Sequence, residues 1–327
     1  MARADSGLLS RVRNFSISPE RYQAVTLIAL AALVTIVFTG AAVRLTASGL
    51  GCPDWPKCYD QYVAPAQINA WIEYGNRLVT GVVSIAVIAA ALLAFFRRPY
   101  RWHLAFFGIL LPLGVIGQAV LGAYVVYKHL PPELVIFHFI LSMILIDAAF
   151  ALFWCSRFEP GDRRYSTDWV STWAVRALIP FGQLTVLLGT ITTGSGPHPG
   201  DHDKELVHRF DFKGHDTLEW IVQRHAAAAV LFAVAALVVI FIVRRRGGDS
   251  RPLKPLVVTF GLICLQIAIG VTQWLLHLPA AMVWVHVVIA TLLWLAVLWS
   301  VATAGQITPG TKGALRRKPD PAVPASG

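Results

Sequence analysis

The residues best suited to chemistry in this sequence are histidines that recur at a fixed spacing. A His-Leu-Pro motif at 129–131 is followed by His138, and the same motif at 277–279 is followed by His286. Nine residues separate the first histidine from the second in both places. This agreement indicates an internal repeat.

Further residues keep the same register. Gln118 and Gln266 each stand 20 residues before the second histidine of their motif. Extended upstream, the register pairs Asn76 with His225, each five residues after a tryptophan. The chain therefore reads as two related halves, each with two candidate ligand positions.

These positions suggest haem ligation. A lone histidine in an apolar segment commonly only bonds a neighbouring helix, but a repeated pair favours a function, because ionisable side chains are costly in lipid. Facing helices of a bundle can supply axial imidazoles to a haem. His225 with His286 predicts a six-coordinate haem. Asn76 with His138 predicts a site with one imidazole and a second iron face that is open or weakly bound, because an amide is a poor ligand.

The elements that position these residues must cross a membrane. Of the 327 residues, 56% are apolar and 14% are charged, which excludes soluble, disordered and disulfide-scaffold proteins. At about 20 residues per span, the apolar content suffices for about eight helices. Long runs without alternation exclude a β-barrel. The apolar runs lie near 22–43, 78–96, 102–127, 134–156, 177–195, 225–243, 255–276 and 280–303.

The sequence therefore predicts an all-α membrane protein with eight transmembrane helices, arranged as two four-helix bundles related by a pseudo-twofold axis along the membrane normal. The predicted organisation is a cytoplasmic segment at 1–21, an N-terminal half at 22–156, a cytoplasmic linker at 157–176, a C-terminal half at 177–303 and a disordered cytoplasmic tail at 304–327.

The formal charge of +10 is explained by topology. Basic residues cluster before the first run, between runs 2 and 3, 4 and 5, and 6 and 7, and in the tail, and these segments hold 20 of the 28 Lys and Arg. Such clusters mark the cytoplasmic side, so both termini are expected inside. No nucleic-acid partner is needed to account for the charge.

A carboxylate and a guanidinium lie beside the N-terminal candidate site. If residues 71–77 are helical, Glu73, Asn76 and Arg77 share one face. Glu73 could accept or donate a proton, or stabilise developing positive charge, while Arg77 binds a haem propionate. Equally, the two could form a surface ion pair that caps the helix.

The first outer loop carries Cys52 and Cys58, and its oxidising location permits a disulfide. This pair is either redox-active or a structural staple.

Two further features stay open. Asp147 lies deep in the fourth run, where it could bond a neighbouring helix or relay protons. The histidine-rich loop at 198–215 lacks the spacing of a closed metal site, so a solvated loop or a lid over the haem edge is favoured over metal binding.

The motifs together resemble one family. The run GAAVRLTASGLGCPDWPKC at 40–58, followed by EYGNR at 73–77 and the duplicated histidines, resembles the bacterial and mitochondrial haem A synthase family along all eight runs. That family usually has histidine where this chain has Asn76. The resemblance implies a bacterial plasma-membrane enzyme with haem B in the C-terminal half and the substrate haem O in the N-terminal half.

The resemblance also implies the reaction. The C8 methyl of haem O would be oxidised to a formyl group by successive hydroxylations, with water as the oxygen source, to supply haem A for cytochrome oxidase. His225 and His286 would hold haem B, His138 would bind haem O, and Glu73 would be the essential carboxylate. A haem O synthase, an electron acceptor and membrane lipid are the expected partners, and a homo-oligomer is left open. The alternatives are a di-haem electron carrier of cytochrome b type and a haem transporter.

Overall fold

The computed structural model describes residues 15–159, 168–203, 207–247 and 250–304. Within these ranges, eight helices are long and apolar enough to cross a membrane, and the only β-structure is three isolated bridges. The helices are α1 (Pro19–Leu45), α2 (Ile68–Phe96), α3 (Trp102–Tyr127), α4 (Pro132–Ser156), α5 (Trp169–Ser195), α6 (Thr217–Arg246), α7 (Leu253–Leu275) and α8 (Ala280–Thr303). The predicted all-α, eight-span class is confirmed. The protein is a multi-pass membrane protein.

Because the number of spans is even, both ends of the described chain lie on one side of the bundle. The loops α1–α2, α3–α4, α5–α6 and α7–α8 lie on the opposite side, which we call the outer side. Which compartment each side faces stays a prediction, as does the disordered tail, whose residues lie outside the described ranges beyond 304.

Several helices extend beyond their apolar runs. The second begins at Ile68 rather than near 78, and the sixth begins at Thr217 rather than near 225. The expected boundaries were wrong because backbone hydrogen bonding continues through polar outer turns that hydropathy does not register. Glu73 and Asn76 therefore lie inside a helix.

The expected linker at 157–176 is also partly helical. The helix begins at Trp169, and the side chain of Asp168 accepts a hydrogen bond from the backbone N–H of Ser171 at 3.2 Å. An aspartate at this position supplies an acceptor for one of the unpaired N–H groups of the first turn. Residues 160–167 of the expected linker lie outside the described ranges.

Helix contacts repeat between the two halves. In the first half, α1 packs on α2 and α4, and α3 packs on α2 and α4; in the second, α5 packs on α6 and α8, and α7 packs on α6 and α8. The halves meet where α1 packs on α8 and α4 packs on α5. This pattern agrees with the expected repeat, while the pseudo-twofold axis itself stays a prediction.

The two His-Leu-Pro turns share one backbone conformation. His129, Leu130, His277 and Leu278 all have φ between 58° and 61°. The N–H of Leu130 donates to the carbonyl oxygen of Val125 at 2.8 Å, and the N–H of Leu278 donates to that of Gln273 at 2.7 Å. These bonds close the preceding helix end, so that α4 and α8 begin in the same way. The internal repeat is thus visible in the backbone.

A carboxylate links the halves at membrane depth. Nε1 of Trp294 on α8 donates to Oδ1 of Asp147 on α4 at 2.6 Å. Nε1 of Trp284, also on α8, donates to the carbonyl oxygen of Phe38 on α1 at 2.9 Å. Of the two possibilities for Asp147, bonding to a neighbouring helix is what the structure shows.

Arg97, which directly follows α2, belongs to one of the basic clusters but is not a surface charge. Arg97 is fully buried, pairs with Glu159 and donates to the carbonyl oxygen of Pro99 at 2.5 Å. The N–H of neighbouring Arg98 donates to the carbonyl oxygen of Ile17 at 3.2 Å. Arg97 therefore anchors this end of the bundle, in addition to any role in topology.

We expect Trp294→Phe to destabilise the bundle more than Asp147→Asn. The phenylalanine variant leaves Asp147 without its donor, which costs about 1–3 kcal/mol, whereas an asparagine oxygen still accepts from Trp294. Thermal unfolding of both variants in detergent measures the difference. Equal losses of stability would contradict a role for this hydrogen bond.

Candidate functional site

His225 on α6 and His286 on α8 face each other. Their ring centres are 6.3 Å apart, with the ring planes at 67°. Two imidazole nitrogens that bind one metal from opposite sides at about 2.0–2.1 Å each hold their ring centres roughly 6 Å apart. The observed separation fits one metal centre between the two rings.

Each of these two imidazole rings keeps a nitrogen that is available to bind a metal. Nδ1 of His225 donates to the carbonyl oxygen of Thr185 on α5 at 3.0 Å, which leaves Nε2 as the acceptor or ligand. Nδ1 of His286 is buried and has no hydrogen-bond partner among the described residues. A buried imidazole with an unused nitrogen fits a ligand role better than a packing role.

Glycines allow close approach of the helices behind both rings. A Cβ on Gly189 would lie 2.9 Å from Cε1 of His225, and one on Gly270 would lie 3.4 Å from Cε1 of His286. The amide nitrogen of Gln266 donates to the backbone carbonyl of His286 at 2.9 Å. Each ring thus rests against a glycine of the neighbouring helix.

His138 in the first half has the same surroundings as His286. A Cβ on Gly122 would lie 3.4 Å from Cε1 of His138, and the amide of Gln118 donates to the His138 carbonyl oxygen at 3.0 Å. Nδ1 of His138 is likewise buried without a partner among the described residues. The Gln and His spacings found in the sequence therefore correspond to one repeated arrangement.

The halves diverge at Asn76. Its Oδ1 accepts a hydrogen bond from Oγ1 of Thr39 on α1 at 2.7 Å. Gly40, at the same distance along the chain from Asn76 as Gly189 from His225, has no atom within 4 Å of an added Cβ. The shorter asparagine leaves open the space that an imidazole fills in the other half. Thr39 carried no signal in the sequence analysis.

Glu73 is buried in α2, with 6% of its surface exposed. Its Oε2 accepts the backbone N–H of Cys52 at 2.7 Å, and its Oε1 accepts from Nη2 of Arg77 at 2.5 Å. The ion pair foreseen between Glu73 and Arg77 is present. It is buried beneath the outer loop instead of lying on the surface.

Arg77 holds the loop as well. Nη1 donates to the carbonyl oxygens of Asp54 and Lys57 at 3.0 and 2.7 Å, and Nη2 reaches that of Cys52 at 3.3 Å. Both Nη groups are therefore committed to the loop and to Glu73. This arrangement favours an organising role for Arg77 over a propionate contact.

Cys52 and Cys58 form a disulfide, as predicted. Both are buried and pack against Ala64 and Ala70. The hydroxyl of Tyr127 at the end of α3 donates to the carbonyl oxygen of Trp55 at 2.7 Å. This packing agrees with a structural staple, and a redox role stays untested.

Two arginines that the sequence analysis did not single out meet at the outer end of α5. Nη2 of Arg44, in the last turn of α1, and Nη2 of Arg209 each donate to the carbonyl oxygen of Thr193 at 2.8 Å. Nε of Arg44 also donates to the carbonyl oxygen of His198 at 3.0 Å, and Nη2 of Arg209 donates to that of Gly196. Burial lowers the pKa of Arg209 to about 10, so it stays charged at neutral pH.

The histidine-rich loop is tied down at one point. Nε2 of His198 donates to the carbonyl oxygen of Leu278, directly before α8. In the ranges that the structure describes, no group of three or more His, Cys, Asp or Glu side chains could hold a metal ion. Residues 204–206 of this loop lie outside those ranges.

Comparison with known proteins identifies a family for this chain. Residues 23–298 match the model of a family described as cytochrome oxidase assembly protein, which covers most of the chain. The chain belongs to this family.

Individual relatives are similar over shorter stretches. A haem A synthase of Geobacillus kaustophilus is 38% identical over 96 residues, which are 29% of this chain and 30% of the relative. A haem A synthase of Shewanella oneidensis is 30% identical over 185 residues, which are 49% of this chain and 54% of the relative. The alignments thus span about a third to a half of these relatives. The resemblance to haem A synthases seen in the sequence is confirmed.

We expect Arg77→Gln to expose the disulfide to reductant. The guanidinium donates to three loop carbonyls, so its loss should loosen residues 52–58 and speed reduction. The measurement is the rate at which Cys52 and Cys58 become alkylated during reduction of the native protein, followed by mass spectrometry. Arg224→Gln is the control, because it removes an exposed guanidinium stacked on Trp220. The Cys52–Cys58 disulfide of this variant should be reduced at the wild-type rate. An unchanged rate in Arg77→Gln would contradict the organising role.

Proposed function

We propose that this protein is a haem A synthase, which oxidises the C8 methyl of haem O to a formyl group by successive hydroxylations with water as the oxygen source. The observation that carries the proposal is the unequal repeat. One half presents two imidazoles with ring centres 6.3 Å apart, and the other presents one imidazole and an amide in the corresponding positions. Membership of the cytochrome oxidase assembly family and similarity to haem A synthases support it.

In this proposal, the C-terminal half holds haem B. His225 and His286 would hold it, and the Thr185 carbonyl orients the imidazole of His225 through Nδ1. The bound haem B would supply a one-electron carrier for the oxidation. Glycines at 189 and 270 keep the two rings close to the neighbouring helices.

The N-terminal half would take haem O as substrate. His138 would be its ligand, backed by Gly122. Asn76 cannot provide a second strong ligand, and its carbonyl oxygen is already bonded to Thr39. The space beside Gly40 remains for the substrate.

Glu73 would be the catalytic carboxylate. Its two oxygens are held by the N–H of Cys52 and by Arg77, so its position is set before substrate binds. A fixed negative charge can stabilise positive charge that develops at the methyl carbon or take up the released proton. Arg77 positions Glu73, and the disulfide loop buries both.

The proposal places the protein in the bacterial plasma membrane with both termini cytoplasmic, as the basic clusters indicate. A haem O synthase would supply the substrate, an electron acceptor would remove the electrons, and lipid would surround the helices. Self-association into a homo-oligomer is compatible with this arrangement. The product would serve cytochrome oxidase.

A di-haem electron carrier and a haem transporter are the competing functions. A carrier is expected to hold both haems through two strong ligands each, which the Asn76 position does not offer. A transporter would release its haem chemically unchanged. The asymmetry between Asn76 and His225 therefore favours an enzyme.

We expect membranes that contain this protein and a haem O source to yield haem A, identified by mass after haem extraction. Glu73→Gln keeps the shape of the side chain but removes its charge, so haem O should accumulate, with or without a singly hydroxylated intermediate, while haem B content stays normal. If wild-type protein makes no haem A, the proposed function fails. If Glu73→Gln makes haem A at the wild-type rate, Glu73 is only a structural partner of Arg77.

We expect Asn76→His to convert the N-terminal haem to a six-coordinate low-spin form and to abolish turnover. The open space beside Gly40 gives room for the ring, and a second imidazole would close the free iron face. Asn76→Ala is the matched control, which should retain much of the activity because no strong ligand is lost. The absorption spectrum of haem O bound to each variant measures the change, and a high-spin spectrum in Asn76→His would count against the single-ligand site.

A further inference from the structure

The charge of Arg44 and Arg209 at the outer end of α5 is not balanced within the described part of the chain. Their contacts to the carbonyl oxygens of Thr193, Gly196 and His198 close the end of a helix, where cations are favourable. One guanidinium would be enough to complement that helix dipole. Two like charges that share one carbonyl oxygen repel each other.

No carboxylate of the described residues lies within ion-pair distance of either arginine. Nε of Arg209 is buried and has no partner there. The Nη1 groups of both arginines also donate to no atom of the described chain. Because partly buried charges are stable only when paired, this cluster is suited to an anion.

The cluster lies next to the C-terminal site. Thr193 is four residues, about one helical turn, from Gly189, where an added Cβ would lie 2.9 Å from Cε1 of His225. His198, whose carbonyl accepts from Arg44, donates through its ring to the carbonyl of Leu278 at the start of the helix that carries His286. Both arginines are thus attached to the outer end of α5 and the loop that leads into α6, and this loop is hydrogen-bonded to the turn before α8.

We propose that Arg44 and Arg209 bind the propionate carboxylates of the haem held between His225 and His286. The inference rests on the haem B site of the proposed function. Guanidinium groups suit carboxylates because their planar donors can bind both oxygens. Arg77, the residue expected from the sequence to make this contact, has its Nη groups committed to the outer loop.

The test compares haem B with haem B dimethyl ester, which lacks the two negative charges. Full-length protein freed of haem is titrated with each, and the low-spin absorption that disappears in His225→Ala reports binding at this site. Wild-type protein should bind the ester at least roughly tenfold more weakly than haem B. The Arg44→Gln/Arg209→Gln variant should bind both about equally, because the charged partners are gone.

Two further variants control for folding and for general charge. Arg44→Lys/Arg209→Lys keeps both charges and a donor to the Thr193 carbonyl but loses the planar fork, so it should keep a reduced preference for haem B. Arg224→Gln removes an exposed charge next to His225 in the sequence and should keep the full preference.

The proposal is overturned if the glutamine double variant still prefers haem B as strongly as wild type, or if wild type binds both haems equally. If the glutamine variant does not fold, the lysine variant decides: a reduced preference supports the proposal and an unchanged one contradicts it. Haem A formation is measured separately. If wild-type protein prefers haem B over the ester but forms no haem A, only the proposed function is contradicted. If it forms haem A but binds haem B and the ester equally, only this inference is contradicted. If it binds no haem at this site, both are contradicted.

Discussion

The constraint on which the rest of this structure depends is that backbone N–H and C=O groups in lipid must be hydrogen-bonded within the protein. The eight spans in the described part of the chain satisfy it as helices, so functional side chains at membrane depth can project only from helix faces. A site then needs two faces brought close together. Here the closeness comes from glycines at 122, 189 and 270, which let imidazoles rest against the neighbouring helix.

Repetition of one four-helix arrangement gives two sites from one set of packing rules. The turns before α4 and α8 have the same backbone conformation, and Gln118 and Gln266 make the same contact to a histidine carbonyl. With the scaffold shared, a difference at one position changes the chemistry. Asn76 in place of a histidine opens space beside Gly40, while His138 keeps the same glutamine and glycine neighbours as His286.

Outside the apolar layer, the carbonyl groups of loops and helix ends have no partner within a helix. Arginine side chains donate hydrogen bonds to several of these carbonyl groups. Arg77 gathers three carbonyls of the disulfide loop, while Arg44 and Arg209 bind those at the end of α5. An arginine suits this role because it carries five donors in a fixed plane. The same residues that order the outer loops thereby place guanidinium groups at the outer edge of both candidate sites, with Arg77 in an ion pair with Glu73.

The sequence by itself determined the fold class, the number of spans, the internal repeat and which histidines are candidate ligands. Hydropathy and fixed spacing are local properties, so they could be read without coordinates. Helix ends were predicted less well, because the polar first turns of α2 and α6 are stabilised by hydrogen bonds that hydropathy does not detect. Only the tertiary structure could show that Glu73 is buried under the disulfide loop, that Asp147 bonds Trp294, or that Arg44 and Arg209 meet at Thr193. These contacts join residues far apart in the chain, and their partners depend on how the helices and loops pack, which no spacing along a single sequence encodes.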